Sequence, residues 1–329
     1  MSLAVSVIVP TYNRASLIGA TLNSILDQSH APAEVIVVDD GSTDETESIV
    51  RGFPEAVKYH RTENSGVCAA RSLGAKLSHS PWIAFCDSDD LWMRDKLARQ
   101  VEFHEETGVE FSFTNFSIIS NGGWEKGTKF DSAPEGFFGG FKKVPEGLVS
   151  SRGYYNDLLR FQPMFPSTVL MTRQFFERVG GFKAEIGRIL SEDLEFMLRC
   201  AQHWPIGAIV EPVVGIRKHE SNVSGDTYRT ICGEIEILRY ALKTHTLSDQ
   251  SRGLISEQII LRSIQAGWWA FDRADFETFT KLLSGAPRMK LDTKTNLKLV
   301  IASFPTPIAK MFHGVVTGNN GLRWWKTAS

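Results

Sequence analysis

Asp87-Ser88-Asp89-Asp90 puts three carboxylates into four residues, directly after the apolar run Trp82–Cys86. Left unpaired, such charges repel one another. A divalent cation removes that cost, and hard oxygen ligands suit magnesium or manganese, which keep coordination positions for substrate phosphates. A solvated acidic turn that caps the following helix fits the same residues. A second acidic turn, Asp39-Asp40-Gly41-Ser42-Thr43-Asp44, follows the apolar run Glu34–Val38. Ser, Thr and Asp are ordinary helix caps, but two successive aspartates before Gly exceed what capping needs, and one carboxylate can accept hydrogen bonds from a base or ribose. Arg71 lies on an expected helix opened by Asn64-Ser65-Gly66. That helix start favours a phosphate, and an arginine grips a diphosphate with two parallel bonds; a plain surface arginine is the alternative. Ser191-Glu192-Asp193 opens another helix. Its dipole would hold a carboxylate ionised, as a proton acceptor requires, while simple first-turn acidity is the alternative. His219, after the run Val213–Arg217, is either a metal ligand, a phosphate donor or an exposed bystander.

Elements that could bring these groups together are legible in the hydrophobic pattern. Val5–Val9 and Glu34–Val38 are continuous β-branched runs, as in strands buried on both faces. Between them Leu17, Ile18, Leu22, Ile25 and Leu26 recur at helical spacing, with Asn13 or Ser16 as a candidate cap. Val57–His60, Trp82–Cys86, Glu110–Ile119, Thr168–Thr172, Ile206–Val210 and Val213–Arg217 read as strands; Gly66–Ser78, Arg94–Thr107, Arg173–Val179 and Ser191–Trp204 read as helices, the last capped by Ser191. Alternating strand and helix predicts a parallel sheet flanked by helices, with ligands beyond the carboxyl ends of the strands. That rule places Thr11–Asn13, Asp39–Asp40 and Asp87–Asp90 on one rim. Residues 121–153 read as one long loop over it. Beyond Thr230 the chain reads as helical, near Gly233–Lys243, Ser256–Phe271 and Phe276–Leu283.

The chain has 329 residues, 42% apolar and 22% charged, which excludes wholesale disorder. Its net charge of -2 excludes a generic polyanion binder, so no nucleic-acid partner is expected. The charge is uneven: residues 1–229 hold 23 Lys/Arg against 30 Asp/Glu, and residues 230–329 hold 13 against 8. Cys68, Cys86, Cys200 and Cys232 form neither a disulfide framework nor a zinc spacing, and the N-terminus shows no leader pattern, so a cytoplasmic chain is expected. GGWEKGTK at 122–129 transposes the Lys and Thr of a phosphate-binding loop and is rejected, and no G-x-G-x-x-G follows a strand.

Seven runs, VSVIVPTYNR, EVIVVDDGSTDET, ENSGVCAARSLGA, WIAFCDSDDLW, GGF, SEDLEFMLRCA and RKHESNVS, stand in order over residues 5–224. Together they resemble glycosyltransferase family 2, and the last third of the chain lies outside the resemblance. The resemblance implies a GT-A fold, a Rossmann-like, mostly parallel mixed sheet flanked by helices, as a catalytic domain over 1–229 with a helical extension over 230–329. It implies an inverting, metal-dependent transfer of a sugar from a nucleoside-diphosphate donor, UDP-linked by expectation, to a carbohydrate or lipid-linked acceptor in cell-surface polysaccharide or glycolipid assembly. Pro10, Thr11 and Tyr12 would line the nucleotide pocket, Asp40 would bind the base, Arg71 the diphosphate, and Asp87 and Ser88 the ribose side. Asp89 and His219 would hold Mn2+ or Mg2+. Asp193 would be the general base, with Glu192 beside it. The family's A-R-N-x-G run reads Ala70-Arg71-Ser72-Leu73-Gly74 here, and the closest match to the Q-x-x-R-W of processive synthases is Asn320 to Trp324, so a non-processive enzyme is expected. The competing readings are an inactive nucleotide-sugar binding or scaffold protein and a sugar-1-phosphate nucleotidyltransferase; the second needs a glycine-rich loop that PTYNRAS at 10–16 lacks.

Residues 281–329 carry eight Lys/Arg and one acid, Asp292, interspersed with Phe304, Phe312, Trp324 and Trp325. Such a segment suits an anionic membrane surface, which would set the chain at the inner face of the plasma membrane. A helical cap on the catalytic domain or on a second subunit of a homo-oligomer is the alternative.

Overall fold

A computed structural model of the protein describes residues 3–120, 122–219 and 226–317. The chain divides into two compact units, Met1–Gly225 and Asp226–Ser329, against an expected division after residue 229. The first unit runs β1 (Val5–Thr11), α1 (Ala15–Leu26), β2 (Glu34–Asp39), α2 (Thr46–Arg51), β3 (Val57–Arg61), α3 (Val67–Leu77), β4 (Trp82–Phe85), β5 (Leu91–Trp92), α4 (Lys96–Thr107), β6 (Phe111–Ser120), β7 (Gly123–Thr128), β8 (Phe141–Val144), β9 (Gly147–Ser150), α5 (Tyr155–Leu158), β10 (Val169–Thr172), α6 (Arg173–Val179), α7 (Glu192–Cys200) and β11 (Gly207–Arg217).

Among the described residues the strands form one mixed sheet in the order β3-β2-β1-β4-β10-β6-β11-β9-β8, with β5 on β11 and β7 on β6. β3, β2, β1 and β4 are mutually parallel. Every residue of β1 and β2 is buried, which is why both read as unbroken apolar runs rather than alternating ones. Val7, Val9, Val35 and Val37 pack with Ile18, Leu22 and Ile25 of α1 on one face, while Ile36 and Val38 meet Ala70 of α3 on the other. Gly74 lets α3 lie close to the sheet, since a Cβ there would stand 2.3 Å from Ile8 Cγ2. Because β1, β2 and β4 are parallel neighbours, Thr11, Asp39 and the Asp87–Asp90 turn share one rim, as the rule for parallel sheets requires.

Three elements differ from expectation. Residues 121–153 are not one long loop. β7 pairs with β6, and the β8–β9 hairpin pairs with β11. These short, Gly- and Lys-bearing strands carry no period-two signal, and their order comes from the strands they join. Ile206–Val210 and Val213–Arg217 are one strand whose register shifts around Pro212, as a residue without a backbone donor demands. Neither Asn13 nor Ser16 caps α1, which starts after Arg14 without a side-chain cap.

The second unit is helical: α8 (Thr227–Thr244), α9 (Asp249–Asp272), α10 (Phe276–Leu283), α11 (Thr293–Ala302) and α12 (Thr306–Thr317). Asp226, Ser248, Asp275 and Asp292 accept backbone N–H bonds at the starts of α8 to α11, so four exposed helix ends are satisfied locally. Phe271, Phe276, Phe279, Leu283, Leu291 and Ile301 form its core. No helix among the described residues is long and apolar enough to cross a membrane. Glu220, Asn222 and the segment holding Trp324 and Trp325 lie outside the described residues.

Candidate active site

The rim is built by loops that bind one another. After β1, the Asn13 amide donates to Ser42 Oγ at 2.8 Å, Arg14 N to Thr46 Oγ1 at 2.9 Å and Ala15 N to Asp44 Oδ2 at 3.0 Å, while Asn13 Oδ1 accepts from Thr43 N at 2.7 Å. These bonds explain the residues of the second acidic turn: Ser42, Thr43, Asp44 and Thr46 fasten the first loop. Pro10 and Thr11 are buried, and Thr11 Oγ1 has no hydrogen-bond partner. Tyr12 is exposed on the rim.

The aspartates of that turn are spent on structure. Asp39 accepts from Ser42 N at 2.7 Å and from the Tyr59 hydroxyl at 2.6 Å. Asp40 accepts from Ser65 N at 2.7 Å and Gly66 N at 2.8 Å, one bond to each carboxylate oxygen. The expected phosphate position at the start of α3 is therefore corrected: those amides already serve an internal anion, Asp40.

Arg71, expected at the diphosphate, is buried, and its two terminal nitrogens lie 2.7 Å from Asp87 Oδ1 and 2.8 Å from Glu192 Oε1. Its guanidinium lies over the Phe182 ring at 5.1 Å, and Phe182 stacks on Phe196 at 4.1 Å. This gives the GGF run a physical meaning: an aromatic floor under the arginine. Ser72, at the position of the family's Asn, donates to the Phe182 carbonyl at 3.2 Å. Thus one guanidinium joins the turn after β4 to the first residue of α7.

Asp193 follows Glu192 on α7, and Gln162 Nε2 reaches its Oδ2 at 3.4 Å. Burial first, then the neighbouring Glu192 carboxylate, pushes the Asp193 carboxyl up to about 7, with Arg71 opposing. The expectation that the helix dipole holds it low is overturned, because desolvation and a like charge outweigh a helix start. Ser191 also does not cap: it sits in the left-handed region at φ 66° and makes no capping bond. That conformation costs a non-glycine residue about 1–2 kcal/mol, and it occurs directly before Glu192–Asp193.

Asp89 is the other focus. Its Oδ2 lies 3.1 Å from His219 Nε2 and 3.5 Å from Arg14 Nε. Arg217 Nε donates to the Asp89 carbonyl, and Arg217 N to Asp90 Oδ1 at 3.3 Å. Asp90 is buried and accepts from Ser167 Oγ at 2.5 Å; burial, with Asp89 and Asp87 beside it, pushes its carboxyl well above the usual carboxylate range. Asp90 is therefore an anchor of the turn. Ser167 also accepts from Asp87 N at 3.0 Å, and Thr21 donates to the Ser88 carbonyl at 3.0 Å. Arg14, Gln162, Ser167 and Arg217 were given no role from the sequence; each acts through a partner distant in the chain.

The family model described as "Glycosyl transferase family 2" matches residues 6–162. This segment is a family 2 glycosyltransferase domain. A chain of Bacillus subtilis (strain 168), provisionally named the teichuronic acid biosynthesis glycosyltransferase TuaG, is 42% identical over 174 residues, covering 52% of this chain and 62% of that one. An Escherichia coli UDP-Glc:alpha-D-GlcNAc-diphosphoundecaprenol beta-1,3-glucosyltransferase, WfgD, is 36% identical over 119 residues, covering 36% of this chain and 47% of that one. The matches thus span less than two thirds of either relative. Staphylococcus aureus TarS 1-349 in complex with UDP-GlcNAc aligns with a TM-score of 0.65 at 18% identity, over 98% of this chain and 93% of that one. The mannosyltransferase PcManGT of Pyrobaculum calidifontis, in complex with GDP-Man and Mn2+, aligns with a TM-score of 0.56 at 20% identity, over 100% of this chain and 89% of that one. The fold of the family 2 domain is GT-A, with a helical region after it.

Proposed function

We propose that this chain transfers a single sugar from a UDP-linked donor to an acceptor hydroxyl, inverting the anomeric carbon in one displacement without processive extension. The observation that carries the reading is Arg71 bridging Asp87, at the donor rim, to Glu192, beside Asp193. One buried group thereby fixes the donor side and the acceptor side together. The acceptor hydroxyl loses its proton to Asp193 as the new bond forms. A carboxylate with its proton affinity near neutral is matched to that task, and Gln162 orients it. Tyr12 and Asp40 face the base, and Asp87 the ribose. Arg14, beside Asp89 on the rim, would offset charge gathering on the diphosphate, while Arg217 braces the Asp89 turn through the Asp89 carbonyl.

Asp89 and His219 are the residues that would hold a divalent ion. Among the described residues no group of three or more His, Cys, Asp or Glu could hold a metal. A carboxylate and an imidazole meeting at 3.1 Å nevertheless fit magnesium or manganese, which complete their shells with substrate phosphates and water. Such an ion supplies Lewis-acid stabilisation of the leaving diphosphate. The Mn2+ and GDP-Man named as bound to the Pyrobaculum neighbour support this reading.

The diphosphoundecaprenol named for the Escherichia coli relative supports a lipid-diphosphate-linked saccharide as acceptor, and the teichuronic acid biosynthesis named for the Bacillus relative supports a role in cell-surface polysaccharide assembly. A hydrolysis and binding screen over UDP-, GDP- and dTDP-sugars with manganese tests the donor. UDP-sugars should be bound and slowly hydrolysed; indifference to all three nucleotides would refute the reading.

A further inference from the structure

The second unit exposes an apolar stripe that its own core does not use. Leu297 and Val300 on α11, Phe304 in the connection, and Ile308, Met311, Phe312 and Val315 on α12 are each 39–61% exposed. Within α12 the spacing is i, i+3, i+4, i+7, one helix face, while Ala309 turns into the core with Ile301 and Leu291. The Phe304 and Phe312 rings lie 5.7 Å apart, so the stripe is continuous from one helix to the next. An apolar run of this length on a surface marks an interaction site.

Charge selects the partner. Lys281, Arg288, Lys294 and Lys310 of the same segment are exposed, with Lys294 one turn before Leu297 on α11. The one acid between residues 281 and 317, Asp292, is engaged by the Thr295 amide at 2.7 Å and hydroxyl at 3.0 Å as the α11 cap. A second copy docking by a two-fold axis would bring this basic segment up against itself. An anionic lipid surface accepts both parts, acyl chains taking the stripe and headgroups the lysines. We propose that the face from Leu297 to Val315 is where the chain lies on an anionic bilayer. The inference deepens the lipid-linked acceptor of the proposed function.

Co-sedimentation of the full chain with phosphatidylcholine vesicles, with and without phosphatidylglycerol, tests it. The chain should bind the phosphatidylglycerol vesicles and be weakened by salt. V300E with M311E, at exposed positions, should lower vesicle affinity by about tenfold or more, and K294E with K310E should abolish the preference for phosphatidylglycerol. Circular dichroism melts check that both variants fold. Unchanged vesicle binding in both variants, or none in the parent chain, would overturn the proposal. So would sedimentation velocity showing a dimer that V300E with M311E dissociates, without vesicle binding. UDP affinity, measured alongside, separates this failure from failure of the glycosyl-transfer reading, since it should be equal in all three chains.

Discussion

At the scale of the residue, burial sets the chemistry of one carboxylate, Asp193, and one guanidinium, Arg71. Asp193, raised to about 7 chiefly by burial, accepts a proton only when ionised. The rate should therefore rise with pH through about 7 and level above it, in the opposite sense to a mechanism needing the acid form. Asp193→Asn should lower kcat by about 10²–10⁴-fold while leaving UDP affinity nearly unchanged in calorimetry. Arg71 needs its fork, since its two ends hold two different carboxylates. Arg71→Lys can serve only one of them. With Asp87 and Glu192 partly solvated, the loss should be about 1–3 kcal/mol in urea unfolding, with a larger relative loss of kcat. The residue types at this site were legible in the sequence; their partners were not. Asp40 and Arg71 looked alike as ligands of a nucleotide, but their bonds run to Gly66 and Glu192, and no local spacing encodes such pairings.

At the scale of the element, α3 carries Arg71 and must lie close to β1. Gly74→Ala would drive a Cβ to 2.3 Å from Ile8 Cγ2. Overpacking of that kind costs about 1–3 kcal/mol, so the variant should melt lower and lose activity through a displaced Arg71. Glu34 ties β2 to its surroundings, accepting from Ser6 Oγ, Lys58 Nζ and His79 N at 2.6–2.7 Å. Burial works against its charge, yet Lys58 and the other donors hold it down at about 2. A depressed carboxyl adds stability above its ordinary titration range, about 4.5, and loses it as pH falls towards 2. Glu34→Gln should flatten that part of the acid unfolding curve. The strands that carry the rim were legible because burial on both faces leaves unbroken apolar runs. β7 and β8 were not, because strands paired at a sheet's margin with solvated side chains need no apolar pattern, and β9 is a four-residue strand too short to show one.

At the scale of the whole molecule, charge divides as the fold does. The first 229 residues are net acidic and the remainder net basic, while the compact units meet at residue 225. The acidic part carries Asp40, Asp87 and Asp89 at its rim; the basic part carries the exposed apolar stripe of α11 and α12. This asymmetry was visible in the sequence, but the stripe was not, since the same residues could have turned inward. The most direct test of the account is calorimetry of UDP binding, with and without manganese, to the parent chain and to Asp89→Ala. Manganese-dependent UDP binding in the parent, lost in Asp89→Ala, is the predicted result; equal affinity in both chains, or binding indifferent to the ion, would contradict it.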